Sequence, residues 1–290
     1  MKAPKFKYVR ATSVAEALRL LDEHGEDGRI LAGGQSLMPT LNMRLSQPEV
    51  IIDINRLDDL KGISLDGDTV RIGALTRHVE VLNSDIVKEH LPLIAEAMPH
   101  VAHVAVRNRG TFGGSVALSD PAAEMPACVL TLGGTIVVES VNGRREIAAD
   151  DYFQGLYETE RRENELLIEV RIPSQKKDKV SVFMELARRH GDFAIAGICA
   201  YGSVSGTTIS DMRLVYFGSE DKPTLGLNAI AALNGKAWTE ETKAAVTAAL
   251  ADDLDPMANL SGSPAMKLHL QKVLTGRAMD TAVARAGGAR

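Results

Sequence analysis

The chain has 290 residues, 45% of them hydrophobic, 24% charged and 4% aromatic, with a formal net charge of -5 at pH 7; that length supports more than one core, and the mix is that of a globular protein rather than a disordered or fibrous one. A mildly acidic balance without a dense Lys/Arg block excludes nucleic acid as the main partner, because phosphate binding needs a concentrated basic face. Only Cys128 and Cys199 are present, which excludes a disulfide framework and falls short of the thiolate set of an iron–sulfur cluster.

The first 13 residues contain no apolar h-region, and no later run reaches the unbroken apolar length of a membrane span. Both features predict a cytoplasmic chain without a membrane segment. Ser13-Val14-Ala15-Glu16 has the form of a capping box, and Ala17, Leu18, Leu20 and Leu21 continue it as an amphipathic helix ending near Gly25. Arg29 to Ala32 reads as a short buried strand running into Gly33-Gly34, followed by a short helix and, after Pro48, a strand over Val50 to Ile54. A turn at Asp66-Gly67-Asp68 precedes an alternating strand over 69–75, and 78–108 reads as helical. A second glycine loop spans Arg109 to Ser115, and strands near 135–140 and 166–172 close the region at Pro173. Beyond the polar run Ser174 to Lys179, three antiparallel strands are predicted near 181–188, 196–205 and 208–217, then helices over 224–233, 239–251 and 264–284. The fold class is therefore α+β, with one domain over 1–173 (parts about 1–57 and 58–173), a second over 178–285, and a frayed tail over 286–290.

Two segments stand out chemically: Ala32-Gly33-Gly34-Gln35-Ser36-Leu37 and Thr111-Phe112-Gly113-Gly114-Ser115 each pair glycines with a nearby hydroxyl side chain. Glycine pairs let backbone N–H groups turn toward a ligand with no Cβ in the way, and Ser adds a donor, so together they suit a pyrophosphate. A glycine pair after a strand is by itself usually only a tight turn, and it is the two together that raise the ligand reading. Neither matches the dinucleotide-binding G-x-G-x-x-G or the P-loop, which leaves Rossmann and NTPase readings without support. Asp120-Pro121 has the form of an N-cap and first-turn proline, and Glu124 four residues on could cap or accept bonds from a sugar's hydroxyls. His100 and His103 are the only histidines spaced as a metal pair, but no Cys, Asp or Glu of suitable spacing joins them, so no metal site is expected. No G-x-S-x-G elbow is present, and Cys128 and Cys199 sit in apolar stretches as core residues, so no catalytic residue is assigned.

Over nearly its whole length the chain resembles the flavoprotein (medium) subunits of the molybdenum hydroxylases, the carbon monoxide dehydrogenase and xanthine dehydrogenase family. The resemblance rests on Phe6-Lys7-Tyr8, the run Leu31 to Leu37, Arg107-Asn108-Arg109-Gly110-Thr111-Phe112-Gly113-Gly114-Ser115, Asp120 to Pro126, and the strand Glu165 to Pro173. It implies a two-part FAD-binding domain of the vanillyl-alcohol-oxidase (PCMH) type followed by a C-terminal domain of antiparallel sheet plus helices. By the same resemblance Ala32, Gly33, Gly34, Gln35, Ser36, Leu37, Thr111, Gly113, Gly114 and Ser115 would wrap the FAD diphosphate, and Glu124 would bind ribityl or ribose hydroxyls. Leu167 and Ile168 would lie against the flavin ring, and the loop carrying Phe193 would bring a side chain of the second domain toward it. Phe193 also reads as an ordinary core aromatic.

With no His or Cys inside either glycine loop, the FAD is expected to be held non-covalently. The family implies that molybdopterin and [2Fe–2S] clusters belong to partner subunits, one large and one small, in a dimer of heterotrimers. Ile195 stands where some relatives carry a lysine near the flavin, which weakens an NAD-reducing role, and Gln35, where carbon monoxide dehydrogenases often have His, leans toward an N-heteroaromatic substrate. The function so implied is electron transfer from a partner's clusters through FAD to an external acceptor. A self-sufficient flavin-dependent oxidoreductase and a non-catalytic nucleotide-binding scaffold subunit are the alternatives.

Overall fold

Short apolar strands flanked by glycine turns give the first part of the computed structural model, which describes residues 2–288, a small parallel sheet. Strands β1 (Lys7–Arg10), β2 (Gly28–Leu31) and β3 (Val50–Asp53) lie in the order β1-β3-β2. Helix α1 (Val14–His24) covers the sheet with Ala17, Leu18, Leu20 and Leu21. The Ser13 Oγ accepts from Glu16 N at 3.1 Å, but the Glu16 carboxylate turns to Thr12 N and Oγ1 instead of Ser13 N, so only half of the predicted capping box forms. Helix α2 (Leu37–Asn42) lies between β2 and β3. β1 was not expected: four residues of mostly exposed strand carry too little alternation to be read.

The second part is an antiparallel sheet in the order β4-β5-β10-β6-β7. Its strands are β4 (Ile63–Asp66), β5 (Thr69–Gly73), β6 (Thr135–Ser140), β7 (Gly143–Ala148) and, after single-turn α9 (Ala149–Tyr152) and the ribbon of β8 (Phe153–Gly155) and β9 (Glu158–Thr159), β10 (Leu166–Pro173). Between β5 and β6 the predicted helical stretch is broken into α3 (His78–Asn83), α4 (Asp85–His90), α5 (Pro92–Ala97) and α6 (Val104–Arg107). The breaks have local causes: Ser84 caps α4, Pro92 opens α5, Pro99 enters a 3₁₀ turn, and Ala102 takes φ 45°. Helices α7 (Phe112–Leu118) and α8 (Glu124–Thr131) follow. β7, which was missed, pairs with β6 after an Asn142-Gly143 turn and carries polar residues that show no apolar alternation.

The third part is antiparallel: β11 (Lys179–Leu186), β12 (Ala196–Ser205), β13 (Thr208–Phe217) and the short β14 (Thr224–Leu225) in that order. Beyond them lie α10 (Leu227–Leu233), β15 (Lys236–Ala237) against β13, α11 (Glu240–Asp253) and α12 (Pro264–Gly288). The strand alternation lets this sheet bury both faces: Phe183, Cys199, Val215 and Phe217 join the largest core, while Ile198, Leu214 and Tyr216 pack beneath α10 to α12. Helix α12 runs through 286–288, and the rest of the tail expected to fray, 289 and 290, lies outside the described residues. Among the described residues no helix is long and apolar enough to cross a membrane.

Cys128 and Cys199 meet in the largest core with their Sγ atoms 3.8 Å apart, and burial pushes the Cys128 thiol well up. Thiolate, not thiol, is the reactive form. A thiol reagent should therefore label neither cysteine in the folded chain and both after denaturation; rapid labelling of the native protein would contradict this packing.

Candidate functional site

Because β2 and β3 are parallel, their C-terminal ends emerge on one edge, and the chain there folds around a cavity of about 670 Å³. Its wall is the first glycine loop, α2, Asp53, Asn55, Arg77 and Arg109. Gly34 takes φ 69°, a left-handed conformation that L side chains resist. At Gly33 a Cβ would lie 2.5 Å from Arg109 O and 2.8 Å from Gly110 Cα, so the missing side chain lets the second glycine segment lie against the first. Gln35 folds back, its Nε2 donating to Gly33 O at 3.1 Å, and Ser36 precedes α2 with its hydroxyl making no capping bond. Among the described residues no N–H from Gly33 to Leu37 donates within the chain, the pattern of an anion-binding nest beside Ala32.

The second segment is built differently. Thr111 caps α7 and accepts from Gly114 N at 3.1 Å, so Gly113, Gly114 and Ser115 lie in a helical first turn where an open loop was expected. Phe112 N donates to Thr76 O, Gly113 N to Ala74 O and Ser115 N to Thr111 O. These N–H groups are committed to the scaffold.

Asp120 was expected as an N-cap with Glu124 above it on the same helix. Instead Asp120 Oδ1 accepts from Ala122 N at 2.9 Å in a local turn, and α8 starts only at Glu124, behind Ala123. Glu124 is 7% exposed, and its carboxyl is pushed up to about 8, mainly by burial, with the charges of Glu185 and Asp120 adding to the effect. Unfolded, the group titrates near its ordinary 4.5. Between those values the folded state keeps a proton that the unfolded state has released. Its contribution to stability is thus fully present below about 4.5 and is lost as pH rises through about 8, at up to about 1.4 kcal/mol per pH unit. Glu124→Gln should remove that slope. Denaturant melts should show the variant matching wild type at acid pH and exceeding it in alkaline solution; parallel curves would mean that the carboxylate is already charged in the fold.

Leu167 and Ile168 are buried on opposite sides of β10, in two different cores, with a register shift between Leu167 and Glu169. Phe193 is 67% exposed, which removes the core-aromatic reading, and it follows Gly191, which packs on His103 and Ala102 O. Ile195 N donates to Leu186 O at the hairpin between β11 and β12. His100 Nδ1 lies 3.1 Å from Glu185 Oε1, and the ring stacks on His190.

The polar cavity residues Asp53, Asn55 and Arg77 escaped the sequence reading. Asp53 accepts from Tyr8 OH, from Arg10 and from Asn55 N and Nδ2. Burial pushes its carboxyl up, but those bonds together hold it below the usual carboxylate range. Asn55 Nδ2 also donates to Leu31 O, and Arg77 joins Asn55 Oδ1, at 2.8 Å, to Arg109 O. The only sequence signal was position, at or just after the end of β3 and just before α3.

The family model described as the FAD binding domain in molybdopterin dehydrogenase matches residues 4–175, and that of the CO dehydrogenase flavoprotein C-terminal domain matches 181–282. The carbon monoxide dehydrogenase medium chain of Hydrogenophaga pseudoflava is 38% identical over 98% of this chain and 99% of its own length. The nicotine 6-hydroxylase medium subunit of Paenarthrobacter nicotinovorans is 39% identical over 98% of this chain and all (100%) of its own. A solved carbon monoxide dehydrogenase from Hydrogenophaga pseudoflava superimposes with a TM-score of 0.95 at 39% identity, over 98% of this chain and 99% of that one. The first glycine loop with its open N–H groups fits an FAD diphosphate, and with two family models spanning nearly the whole chain, this protein belongs to the FAD-binding medium subunits of the carbon monoxide dehydrogenase-like molybdenum hydroxylases, an oxidoreductase family.

Proposed function

We propose that this chain is the electron-transfer subunit of a cytoplasmic molybdenum hydroxylase, receiving electrons from the clusters of a small iron–sulfur subunit and delivering them through non-covalently held FAD to an external acceptor. A large partner subunit holds the molybdopterin, and the assembly is a dimer of heterotrimers. The observation that carries this reading is the full-length match to medium subunits, joined to an anion nest at the C-terminal edge of a parallel sheet. Bound FAD supplies the exchange between one-electron and two-electron traffic.

The protein's own residues do the holding. The N–H groups of Gly33 to Leu37 receive the diphosphate, with Ala32 alongside. Thr111, Gly113, Gly114 and Ser115 form the rigid helical step against which that loop is held. Glu124, largely protonated at neutral pH, can donate as well as accept toward a sugar hydroxyl. The Leu167–Ile168 segment backs the ring side, and exposed Phe193 reaches toward the ring from the second domain. On this reading residues 1–173 form a PCMH-type FAD domain in two parts, and residues 178–285 form the domain that closes over it.

Isolation of the native complex tests the assignment. One large and one small partner should co-purify, with molybdenum, iron and acid-released FAD all present. A flavin-containing chain that purifies alone and oxidises its own substrate would establish the self-sufficient flavoenzyme instead.

A further inference from the structure

Among the described residues the N–H groups of Phe112, Gly113, Gly114 and Ser115 are spent inside the fold, whereas those from Gly33 to Leu37 are open. A diphosphate carries more negative charge than one neutral nest matches well, and the cavity wall contains two cations the sequence reading did not assign, Arg77 and Arg109. Arg77 is half-buried at the start of α3, with its N–H held by Glu80 Oε2 at 2.6 Å. Its guanidinium forks between Asn55 Oδ1, beyond β3, and the Arg109 carbonyl, at the entrance to the second segment. That fork ties the β3 end to the strand-like contact of Arg77 with Thr111, and it sets Arg109 beside Gly33. Arg109 itself is exposed at the cavity wall, and among the described residues no carboxylate pairs with its guanidinium. Asp53, the one acid of the wall, is already engaged by Tyr8, Arg10 and Asn55.

We propose that Arg109 is a direct ligand of the dinucleotide's diphosphate and that Arg77 is the positioning residue that places it, by clamping the second glycine segment onto the first. This rests on the FAD reading above and adds to it the source of the site's positive charge. Arg77's guanidinium is pushed below its usual range, first by burial and also by the like charge of Arg109, a repulsion that an anion between them would relieve. The two roles differ in what they require of the side chain. Arg109 needs charge, which Lys also supplies, whereas Arg77 needs a planar fork that reaches two acceptors at once, which Lys lacks.

The test measures binding of ADP and of FAD to the full chain by calorimetry, as ionic strength rises from about 0.01 to about 0.15 M, where the Debye length falls from about 30 to about 8 Å. Arg109→Gln should weaken ADP and FAD about tenfold or more and flatten the salt dependence, because a charge-assisted bond is lost. Arg109→Lys should recover most of both. Arg77→Lys should remain as weak as Arg77→Gln while melting temperatures show both still folded. ADP and FAD affinities for Arg109→Gln equal to wild type across that salt range would overturn the proposal. So would full recovery by Arg77→Lys, which would make charge alone sufficient there. Wild-type chain that binds ADP with this salt dependence but takes up no FAD would sink the flavin reading and leave the arginine assignment standing; wild type that binds neither would overturn both.

Discussion

Gly33→Val should abolish FAD binding and destabilise the folded chain by about 3 kcal/mol, the largest loss expected of any single substitution in the site. The cause is not a blocked ligand. Its Cβ would meet backbone, Arg109 O at 2.5 Å and Gly110 Cα at 2.8 Å, and backbone cannot swing aside as a side chain can. The two glycine segments would be forced apart, taking Arg109 and the Thr111 cap with them. Gly34→Val and Gly114→Val should also lose flavin, but for separate reasons. Gly34 sits at φ 69°, which a β-branched residue resists. At Gly114 a Cβ would lie 2.5 Å from Thr111 Oγ1, the atom that caps α7. Flavin absorbance after gel filtration, with urea melts of each variant, would separate these effects; full flavin content in Gly33→Val would mean that the segments do not depend on contact.

The second large effect belongs to the complex. Turnover with the natural acceptor should stop in a complex whose medium subunit carries Gly114→Val, while substrate still reduces the molybdenum and the iron–sulfur centres of the partners at the wild-type rate. On this reading the molybdenum and cluster centres belong to the partner subunits, and among the described residues of this chain no group of three His, Cys, Asp or Glu could hold a metal. Rapid-mixing spectroscopy resolves the two steps. Unchanged turnover in the flavin-free complex would reduce this chain to a scaffold, and hydroxylation by the lone chain would make it a self-sufficient enzyme.

How much of this was legible in the sequence depended on how local the cause was. Strands β12 and β13 were read to the residue, because they alternate over ten residues each and face two different cores, whereas β11 lies two residues earlier than expected and the two-residue β14 and β15 were missed. The glycine-to-helix step after β2 was also legible, since Gly33-Gly34 interrupts an apolar run. The second segment was misread as an open loop because its glycines look the same in one dimension. Only the contacts of Thr111, Thr76 and Ala74 show that its N–H groups are used internally. Helix α8 starting at Glu124 was hidden by Asp120-Pro121, a local turn that imitates a cap. Arg77 and Asn55 carried no motif at all: their roles arise from tertiary packing that brings a residue just after β3 and one just before α3, 22 positions apart, to one cavity wall.

This chain should hold FAD by its own residues and without a covalent bond. Titrating the purified full-length chain with FAD and then precipitating it with acid measures this directly. One FAD should be taken up per chain, with all of it released into the supernatant. A correctly folded chain that takes up no FAD, or flavin that stays with the precipitated protein, would contradict it.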